Sequence, residues 1–230
     1  MTIPLSIVVP LYNGIETLEE ALKSVKNQVY KEWTCYIGVN GHGPKGGAVY
    51  ETAEEIVRNL GDPRFRVHNL PDVKGAPDAV NALVAMTKTE WIAHIDADDK
   101  WDPYKLMYQV EIVKQYGGRV GVIGTWAQYF GDWNGQPQQP GGFIDPAVFH
   151  TMNPMIHSSI LIKKELDHYT NDFFGIYDYD CWIKHSLAGV QFYNIPYRLT
   201  YHRLCSTISV FNSSGKQKPE DVRMHYFGHT

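Results

Sequence analysis

The chain has 230 residues, of which 43% are hydrophobic and 20% are charged, and this is the composition of an ordinary globular protein. The length fits a single domain with a substantial core. The net charge of −4 argues against a nucleic-acid-binding protein, which usually presents a basic face. The three cysteines are widely spaced and form no Cys-x-x-Cys pair, which excludes a disulfide framework and a zinc ribbon.

The first half of the chain alternates strand and helix patterns four times. Short apolar runs predict strands, and apolar residues at helical spacing predict helices. The predicted strands are Leu5–Pro10, Trp33–Val39, Phe65–Asn69 and Trp91–Ile95, and the predicted helices are Ile15–Val29, Val49–Leu60, Ala76–Thr87 and Tyr104–Tyr116. Pro10 is expected to end the first strand, because proline cannot continue a ladder. The alternation predicts an α/β fold with a Rossmann-like, mostly parallel central sheet and helices on both faces.

The second half of the chain is less regular. Apolar runs at Val120–Gly124, Ser158–Ile162 and Gln191–Ile195 predict strands, and a helix is expected over Tyr179–Ala188. Residues 131–142 have the composition of a loop and are a candidate mobile lid. We expect one domain over 1–230, with a regular half (1–103), an irregular half (104–212) and a polar, peripheral tail (213–230).

Targeting signals are missing from the sequence. The N-terminus lacks a charged-then-apolar signal pattern, and no apolar run approaches the ~20 residues of a membrane-spanning helix. These features predict a cytoplasmic protein with no transmembrane segment and no nucleic-acid partner.

Three carboxylates, Asp96, Asp98 and Asp99, directly follow the apolar strand that ends at Ile95. Clustered negative charge at the mouth of a buried strand costs stability unless a cation neutralises it. Mg²⁺ or Mn²⁺ is commonly held by one or two carboxylates, with phosphate oxygens completing the shell. The cluster therefore predicts a divalent metal site beside a nucleoside diphosphate. The alternative is a turn with a helix-capping aspartate, for which Asp102 is the better candidate.

The loops after Pro10, Val39 and Ile95 should meet, because parallel strands end at the same edge of a sheet. Rossmann-like sheets bind ligands in the crevice beyond that edge. Residues far apart in sequence are therefore expected around one ligand.

Several segments together resemble the family 2 glycosyltransferases of the GT-A fold. They are Ser6–Gly14 (SIVVPLYNG), Leu18–Gln28 (LEEALKSVKNQ), Ile95–Pro103 (IDADDKWDP), Tyr177–Lys184 (YDYDCWIK) and Phe192–Pro196 (FYNIP). The resemblance implies an enzyme that moves a sugar from a nucleotide donor to an acceptor hydroxyl and inverts the anomeric configuration. It also implies Mn²⁺ or Mg²⁺ as cofactor, with 1–103 as the donor half and 104–212 as the acceptor and catalytic half.

The resemblance assigns donor-binding roles by position. Pro10 and Tyr12 lie where the family seats the nucleotide base, and Asp96 and Asp98 correspond to the ribose contact and the metal ligand. Asn40 stands where the family usually has an aspartate that reads uracil. An amide both donates and accepts, so we expect a UDP-sugar. From the residues alone, Lys74 is a candidate point charge for the diphosphate, with a solvated lysine as the alternative.

The resemblance also assigns residues on the acceptor side. Asp178 corresponds to the general base, and a carboxylate near the acceptor hydroxyl is what single displacement requires. The alternatives are an N-cap or first-turn role for Asp178, with Asp180 as the rival base. His202 is a candidate metal ligand or diphosphate contact, with an ordinary structural histidine as the alternative. His157 and Trp182 are assigned to the acceptor side, with core packing as the alternative for Trp182.

A different class of enzyme remains open from the residues alone. His94, Asp96 and Asp98 alternate along the chain and would suit a metal-dependent hydrolase or phosphotransferase. The sequence has no second cluster of His and Asp residues with metal-ligand spacing, which a two-metal hydrolase or phosphotransferase would need. Under the glycosyltransferase interpretation the acceptor is a glycan, a glycolipid or a protein-linked sugar. Peripheral membrane association stays open, because lipid-linked acceptors are common in that family.

Overall fold

The computed structural model describes residues 2–43, 46–173, 175–205 and 217–228. Nine strands, β1 to β9, cover Leu5–Leu11, Trp33–Asn40, Phe65–Leu70, Trp91–His94, Lys100–Trp101, Val120–Gly131, Gly142–Phe143, Leu161–Lys163 and Gln191–Leu204 among these residues. Six α-helices, α1 to α6, cover Ile15–Lys26, Gly47–Leu60, Ala76–Met86, Lys105–Tyr116, Tyr177–Leu187 and Pro219–Phe227 in the same part of the chain. No helix within it is long and apolar enough to cross a membrane.

The nine described strands form one sheet in the order β3-β2-β1-β4-β8-β6-β9-β5, and β7 pairs with β9. The first four are mutually parallel, whereas β8 runs antiparallel to β4 and β6. Apolar residues of α1, α2 and α4 fill the core on one face, and those of α3, α5 and α6 fill it on the other. The predicted α/β sheet with helices on both faces is confirmed.

Pro10 does not end the first strand, which continues to Leu11 and pairs Pro10 with Gly38 of β2. On the other side of β1, the partner strand β4 ends at His94, level with Val8. A proline two residues beyond Val8 therefore has no hydrogen bond to lose on that side, and its missing N–H is tolerated.

The segment between β6 and β7 is held to the sheet rather than forming a free lid. Tyr129 N donates to the carbonyl oxygen of Gly135 at 2.9 Å, and Ala127 N donates to Oε1 of Gln139 at 2.7 Å. The indole N–H of Trp126 donates to the Pro140 carbonyl oxygen at 3.1 Å. The predicted mobile lid is therefore corrected to a loop pinned along the edge of β6.

The end of the chain is also more than a peripheral tail. Helix α6 packs against α5, and Val222 is completely buried between them. The ring of Phe227 stacks on His150 at a centroid distance of 3.7 Å. For residues 217–228 the expectation of a polar, peripheral segment is corrected.

Lys105, at the start of α4, is a fully buried lysine. Its Nζ donates to Oε1 of Gln109 at 2.9 Å and lies 3.9 Å from the centroid of the Trp101 ring. Burial holds the pKa of Lys105 well below its usual value. The folded protein therefore holds this amine neutral over a pH range in which the unfolded chain protonates it.

We expect Lys105 to make folding stability rise with pH. Unfolding takes up a proton wherever the pH lies between the folded and unfolded pKa values, and the slope there is about 1.4 kcal/mol per pH unit. Denaturant unfolding measured over the pH range just below the usual pKa of lysine should give a less positive slope for Lys105→Met than for the parent. Lys114→Met, which changes an exposed lysine of the same helix, should keep the parental slope. Equal slopes in all three proteins would mean that the folded protein holds Lys105 charged.

Candidate active site

The loops at the carboxyl ends of β1, β2 and β4 lie together at one edge of the sheet, as parallel strands require. Tyr12 and Asp96 lie in the loops after β1 and β4, and Asn40 is the last residue of β2. Asp96 lies 84 positions after Tyr12, so only the fold brings these side chains to one edge. This edge is the candidate site.

Tyr12 forms an exposed aromatic platform, with 56% of its surface accessible. Its ring stacks on His42 at a centroid distance of 5.2 Å, and the His42 Nε2 lies 2.7 Å from the Tyr12 carbonyl oxygen. Gly41, between Asn40 and His42, has a φ of +76°, and a Cβ there would lie 3.1 Å from the Tyr12 ring. Glycine is thus required for both the turn and the close approach. The platform suits stacking by a flat ring such as a nucleotide base.

The other predicted donor residues lie around this platform. Asn40 is the last residue of β2 and is 2% exposed, while Pro10 is half-buried in β1. Lys74 is exposed in the loop after β3. The neighbouring Val73 carbonyl oxygen would lie 3.5 Å from a Cβ on Gly41, so the Lys74 loop borders the same platform.

Asp96 is held by the short helical turn His157–Ser159. Its backbone N–H donates to the Ser158 hydroxyl oxygen at 3.0 Å, and its Oδ1 lies 3.3 Å from the His157 Nδ1. Desolvation alone would raise the pKa of Asp96, but the His157 imidazole and, further away, His202 hold it at about 2. Asp96 is therefore an anion at neutral pH.

His157 lies between the donor loop and α5, not on an open acceptor surface. It is 7% exposed, and its ring packs edge-on against Tyr177 at a centroid distance of 5.6 Å. Burial disfavours its charged form, but Asp96 and Asp178 raise the pKa of His157 above the usual value. The ring is thus a buried group beside Asp96 rather than an exposed one, and its assignment to the acceptor side stays a prediction.

Asp98, like Asp96, is half-buried. Burial, followed by repulsion from Asp99 and Asp96, raises the pKa of Asp98 to about 7. Such a group is stabilised when a cation offsets the repulsion. Carboxylate oxygens are hard ligands, so the chemistry of this loop fits Mg²⁺ or Mn²⁺.

No three His, Cys, Asp or Glu side chains among the described residues lie close enough to form a complete metal site. An ion held by Asp98 would therefore take further ligands from diphosphate oxygens and water. Mg²⁺ is commonly bound in this way, through one or two carboxylates and substrate phosphates.

Asp99 ties the carboxylate loop to the end of β9. Its side chain is fully buried, and it accepts from the His202 Nδ1 at 2.9 Å and from the Arg203 backbone N–H at 2.7 Å. The Arg203 Nε donates to the Asp98 carbonyl oxygen at 2.7 Å. Sequence reasoning assigned Asp99 no role, because its partners lie more than 100 positions away and leave no local signal.

His202 is held by Asp99, and its role as a metal ligand stays a prediction. Burial disfavours the charged ring, but Asp99, together with Asp96 and Asp98, raises the pKa of His202 to about 9. A carboxylate on one ring nitrogen is the arrangement that orients metal-binding histidines through the other nitrogen. Asp99 is therefore the residue that would orient His202.

Asp178 lies in the first turn of α5, inside the helix rather than before it as the sequence suggested. Its Oδ2 accepts a hydrogen bond from the Asn153 Nδ2 at 3.1 Å. Burial raises the pKa of Asp178, although the His157 charge and the hydrogen bonds oppose this shift. A carboxylate with a raised pKa and a nearby polar partner can accept a proton from a hydroxyl.

Asp180 is occupied by structural contacts. It is 1% exposed and accepts hydrogen bonds from the Lys184 Nζ at 2.7 Å and from the Tyr226 hydroxyl at 2.5 Å. A carboxylate buried under a lysine and a tyrosine is not placed to meet an acceptor. The geometry therefore favours Asp178 over Asp180 as a base.

Two other predicted residues lie inside the core. His94 is fully buried, and its Nε2 lies 2.8 Å from Oδ2 of Asp167, so the set His94, Asp96 and Asp98 does not form a metal site. Asp167 lies 73 positions away and was not predicted. Trp182 is fully buried in the core formed with α3 and α6, so its assignment to the acceptor side is corrected to packing.

Comparisons with known proteins support a sugar-transfer chemistry. Residues 6–183, most of the chain, match the family model described as "Glycosyl transferase family 2". The chain is 26% identical over 108 residues to the Escherichia coli protein named UDP-Glc:alpha-D-GlcNAc-diphosphoundecaprenol beta-1,3-glucosyltransferase WfgD, covering 47% of this chain and 40% of WfgD. The matches cover between 35% and 57% of the length of the first curated relatives.

Two solved structures have the same fold at low sequence identity. Staphylococcus aureus TarS in complex with UDP-GlcNAc superposes with a TM-score of 0.74 and 15% identity, covering 96% of this chain and 63% of the TarS chain. The mannosyltransferase PcManGT from Pyrobaculum calidifontis, in complex with GDP-Man and Mn²⁺, gives a TM-score of 0.69 and 14% identity, covering 96% and 68% of the two chains.

Proposed function

Because this chain belongs to glycosyl transferase family 2, it is a glycosyltransferase, and we propose that it transfers a sugar from a UDP-sugar to an acceptor hydroxyl with inversion. The observation that carries this proposal is the joint placement of Asp96 and Asp178 around His157, although 82 positions separate the two carboxylates. A donor loop and a candidate base at one site are what a single displacement requires.

The donor would bind across the edge of the sheet. The base would stack on Tyr12 above Gly41, with the Asn40 amide beside it and Asp96 accepting from the ribose hydroxyls. Asp98, and His202 held by Asp99, would bind a divalent ion. Such an ion stabilises the negative charge that develops on the departing diphosphate. Lys74 would add a positive charge from the loop after β3.

Asp178 would perform the proton transfer. Its carboxylate takes the proton of the acceptor hydroxyl as that oxygen attacks the anomeric carbon. The bond between the anomeric carbon and the phosphate oxygen breaks on the opposite face, and its electron pair leaves with the nucleoside diphosphate. The hydrogen bond from Asn153 fixes the Asp178 side chain during this step.

The names of similar proteins support the substrate classes. WfgD takes UDP-Glc as donor and a sugar on diphosphoundecaprenol as acceptor, according to its name. A lipid-linked glycan is therefore the acceptor class that we propose here, and it would bring the enzyme to a membrane surface. PcManGT was crystallised with GDP-Man, so the choice of UDP rests on Asn40 and on the UDP-sugars of WfgD and TarS.

A thermal-shift screen tests the donor. We expect UDP-sugars with Mn²⁺ to stabilise the protein, and GDP-, dTDP- and CMP-sugars to have little effect. At a concentration 100 times the dissociation constant, a ligand adds ~2.7 kcal/mol. That stabilisation corresponds to a rise of about 5–10 °C in the midpoint for a domain of this size. A response to GDP-sugars alone would contradict the base assignment, and no response to any nucleotide sugar would contradict the donor site.

A further inference from the structure

Helix α6 contacts α5 immediately beside the candidate base. The Tyr226 hydroxyl of α6 donates to Oδ1 of Asp180 at 2.5 Å, and Asp180 lies in the same helical turn as Asp178. The other oxygen of Asp180 accepts from the Lys184 Nζ at 2.7 Å and from the Thr170 hydroxyl at 3.3 Å. All of these contacts meet at a side chain that is 1% exposed.

Asp178 and Asp180 point in different directions from one turn. Two positions along an α-helix correspond to a rotation of about 200° around its axis. Asp178 contacts Asn153 and faces the charge of His157, whereas Asp180 contacts α6 and Lys184. The contact with α6 therefore holds the first turn of α5 on the side of the helix opposite the Asp178 carboxylate.

Helix α6 has its own anchors in the domain. Val222 is fully buried, and Phe227 stacks on His150 at 3.7 Å. The Tyr226 ring also lies 6.5 Å from Phe173, measured between centroids. These apolar contacts hold α6 in place independently of the Tyr226 hydroxyl. Removing that hydroxyl should therefore loosen the link to Asp180 without releasing the helix.

We propose that Tyr226 is a positioning residue for the transfer reaction, which acts through Asp180 to fix the first turn of α5 and with it the carboxylate of Asp178. This inference rests on the proposed role of Asp178 as general base. It gives the end of the chain a function that its polar sequence did not suggest. It also explains why a second aspartate lies two positions after the base.

Tyr226→Phe tests the proposal in the 230-residue chain. We expect the backbone amides of 177–181 to exchange hydrogen for deuterium faster than in the parent, while α1 and α3 exchange at the parental rate. We expect kcat to fall by about tenfold, because small displacements of a catalytic group are costly. The KM for the donor should stay unchanged, because the hydroxyl removed from Tyr226 donates to Asp180 of α5 and not to a predicted donor residue.

Two further variants sharpen the test. Tyr197→Phe removes a hydroxyl from a half-exposed tyrosine of β9 and should change neither the exchange of α5 nor kcat. Asp180→Ala should lower kcat, and adding Tyr226→Phe to it should have little further effect, because each change removes the same hydrogen bond between Tyr226 and Asp180.

Different results test the positioning role of Tyr226 and the base role of Asp178. Unchanged exchange at 177–181, unchanged kcat, or a parallel loss of kcat and donor affinity in Tyr226→Phe would each overturn the positioning role. The base role of Asp178 is tested separately by Asp178→Asn, because that change leaves the Tyr226 hydroxyl and Asp180 in place. Full activity in Asp178→Asn would mean that Asp178 is not the base. Additive effects of the Asp180 and Tyr226 variants would also overturn the proposal.

Discussion

Asp178→Asn should lower kcat by roughly 10²–10⁴ while leaving donor binding intact. Asparagine keeps the shape of the side chain, but its amide cannot take the proton of the acceptor hydroxyl. The donor contacts at Tyr12 and Asp96 lie on other elements, and Asp96 keeps its contacts with His157 and Ser158 in this variant. Turnover measured under saturating donor, together with calorimetric titration of the donor, separates the two effects.

The pH profile provides a second measurement on the same variant. A general base must be deprotonated, so kcat should rise with pH through the pKa of Asp178. Burial raises that pKa, so kcat should increase over a pH range higher than the one in which an ordinary aspartate loses its proton. In Asp178→Asn, kcat should no longer increase with pH over this range.

Glu165→Gln is the matched control for Asp178→Asn. It makes the same carboxylate-to-amide change at an exposed position just after β8, near the opposite end of the sheet. It should keep parental turnover and the parental pH profile. Full activity in the Asp178 variant would remove Asp178 from the mechanism.

Asp98→Asn should abolish the Mn²⁺-dependent part of donor binding. An amide oxygen carries no net charge, so the variant loses the carboxylate that would bind the ion. We expect the affinity for a UDP-sugar in Mn²⁺ to fall by at least 100-fold, to its value in chelator. Calorimetric titration with and without Mn²⁺ measures this difference. Unchanged Mn²⁺-dependent affinity would contradict the metal assignment.

Metal affinity should also depend on pH in a defined direction. The pKa of Asp98 is about 7, so below this pH a metal ion must displace a proton from the carboxyl group. We expect Mn²⁺ affinity to increase up to about pH 7 as Asp98 ionises, and to increase further up to about pH 9 as His202 loses its proton. Asp102→Asn, just beyond β5, is the control, because its amide can still accept from the Tyr104 N–H.

The first half of the fold was predictable from local patterns. Buried parallel strands are continuous apolar runs, and the helices between them carry apolar residues at helical spacing. The bounds of β2, β3 and α2 therefore lie within two residues of those predicted. Strand β9 was predicted to end at Ile195 but continues to Leu204, because register shifts near Thr125 and Trp126 accommodate Pro196.

The candidate site was predictable only where its residues adjoin a strand end. Asp96 and Asp98 follow β4 directly, so the apolar run itself marks them. Asp99 follows the same run, but its role and that of His157 lie in contacts made across 103 and 61 positions of the chain, which no local pattern records. The sequence also left open which of Asp178 and Asp180 faces the site.

Sequence by itself determined the α/β class, the edge of the sheet where the ligand loops meet, and the resemblance to a glycosyltransferase family. These properties follow from periodicity and from short motifs, which are local. Tertiary structure decided that His157 is buried, that His94 and Trp182 belong to the core, and that Tyr226 of α6 donates a hydrogen bond to Asp180. Burial and charge pairing depend on which distant elements pack together, and no local pattern records that packing.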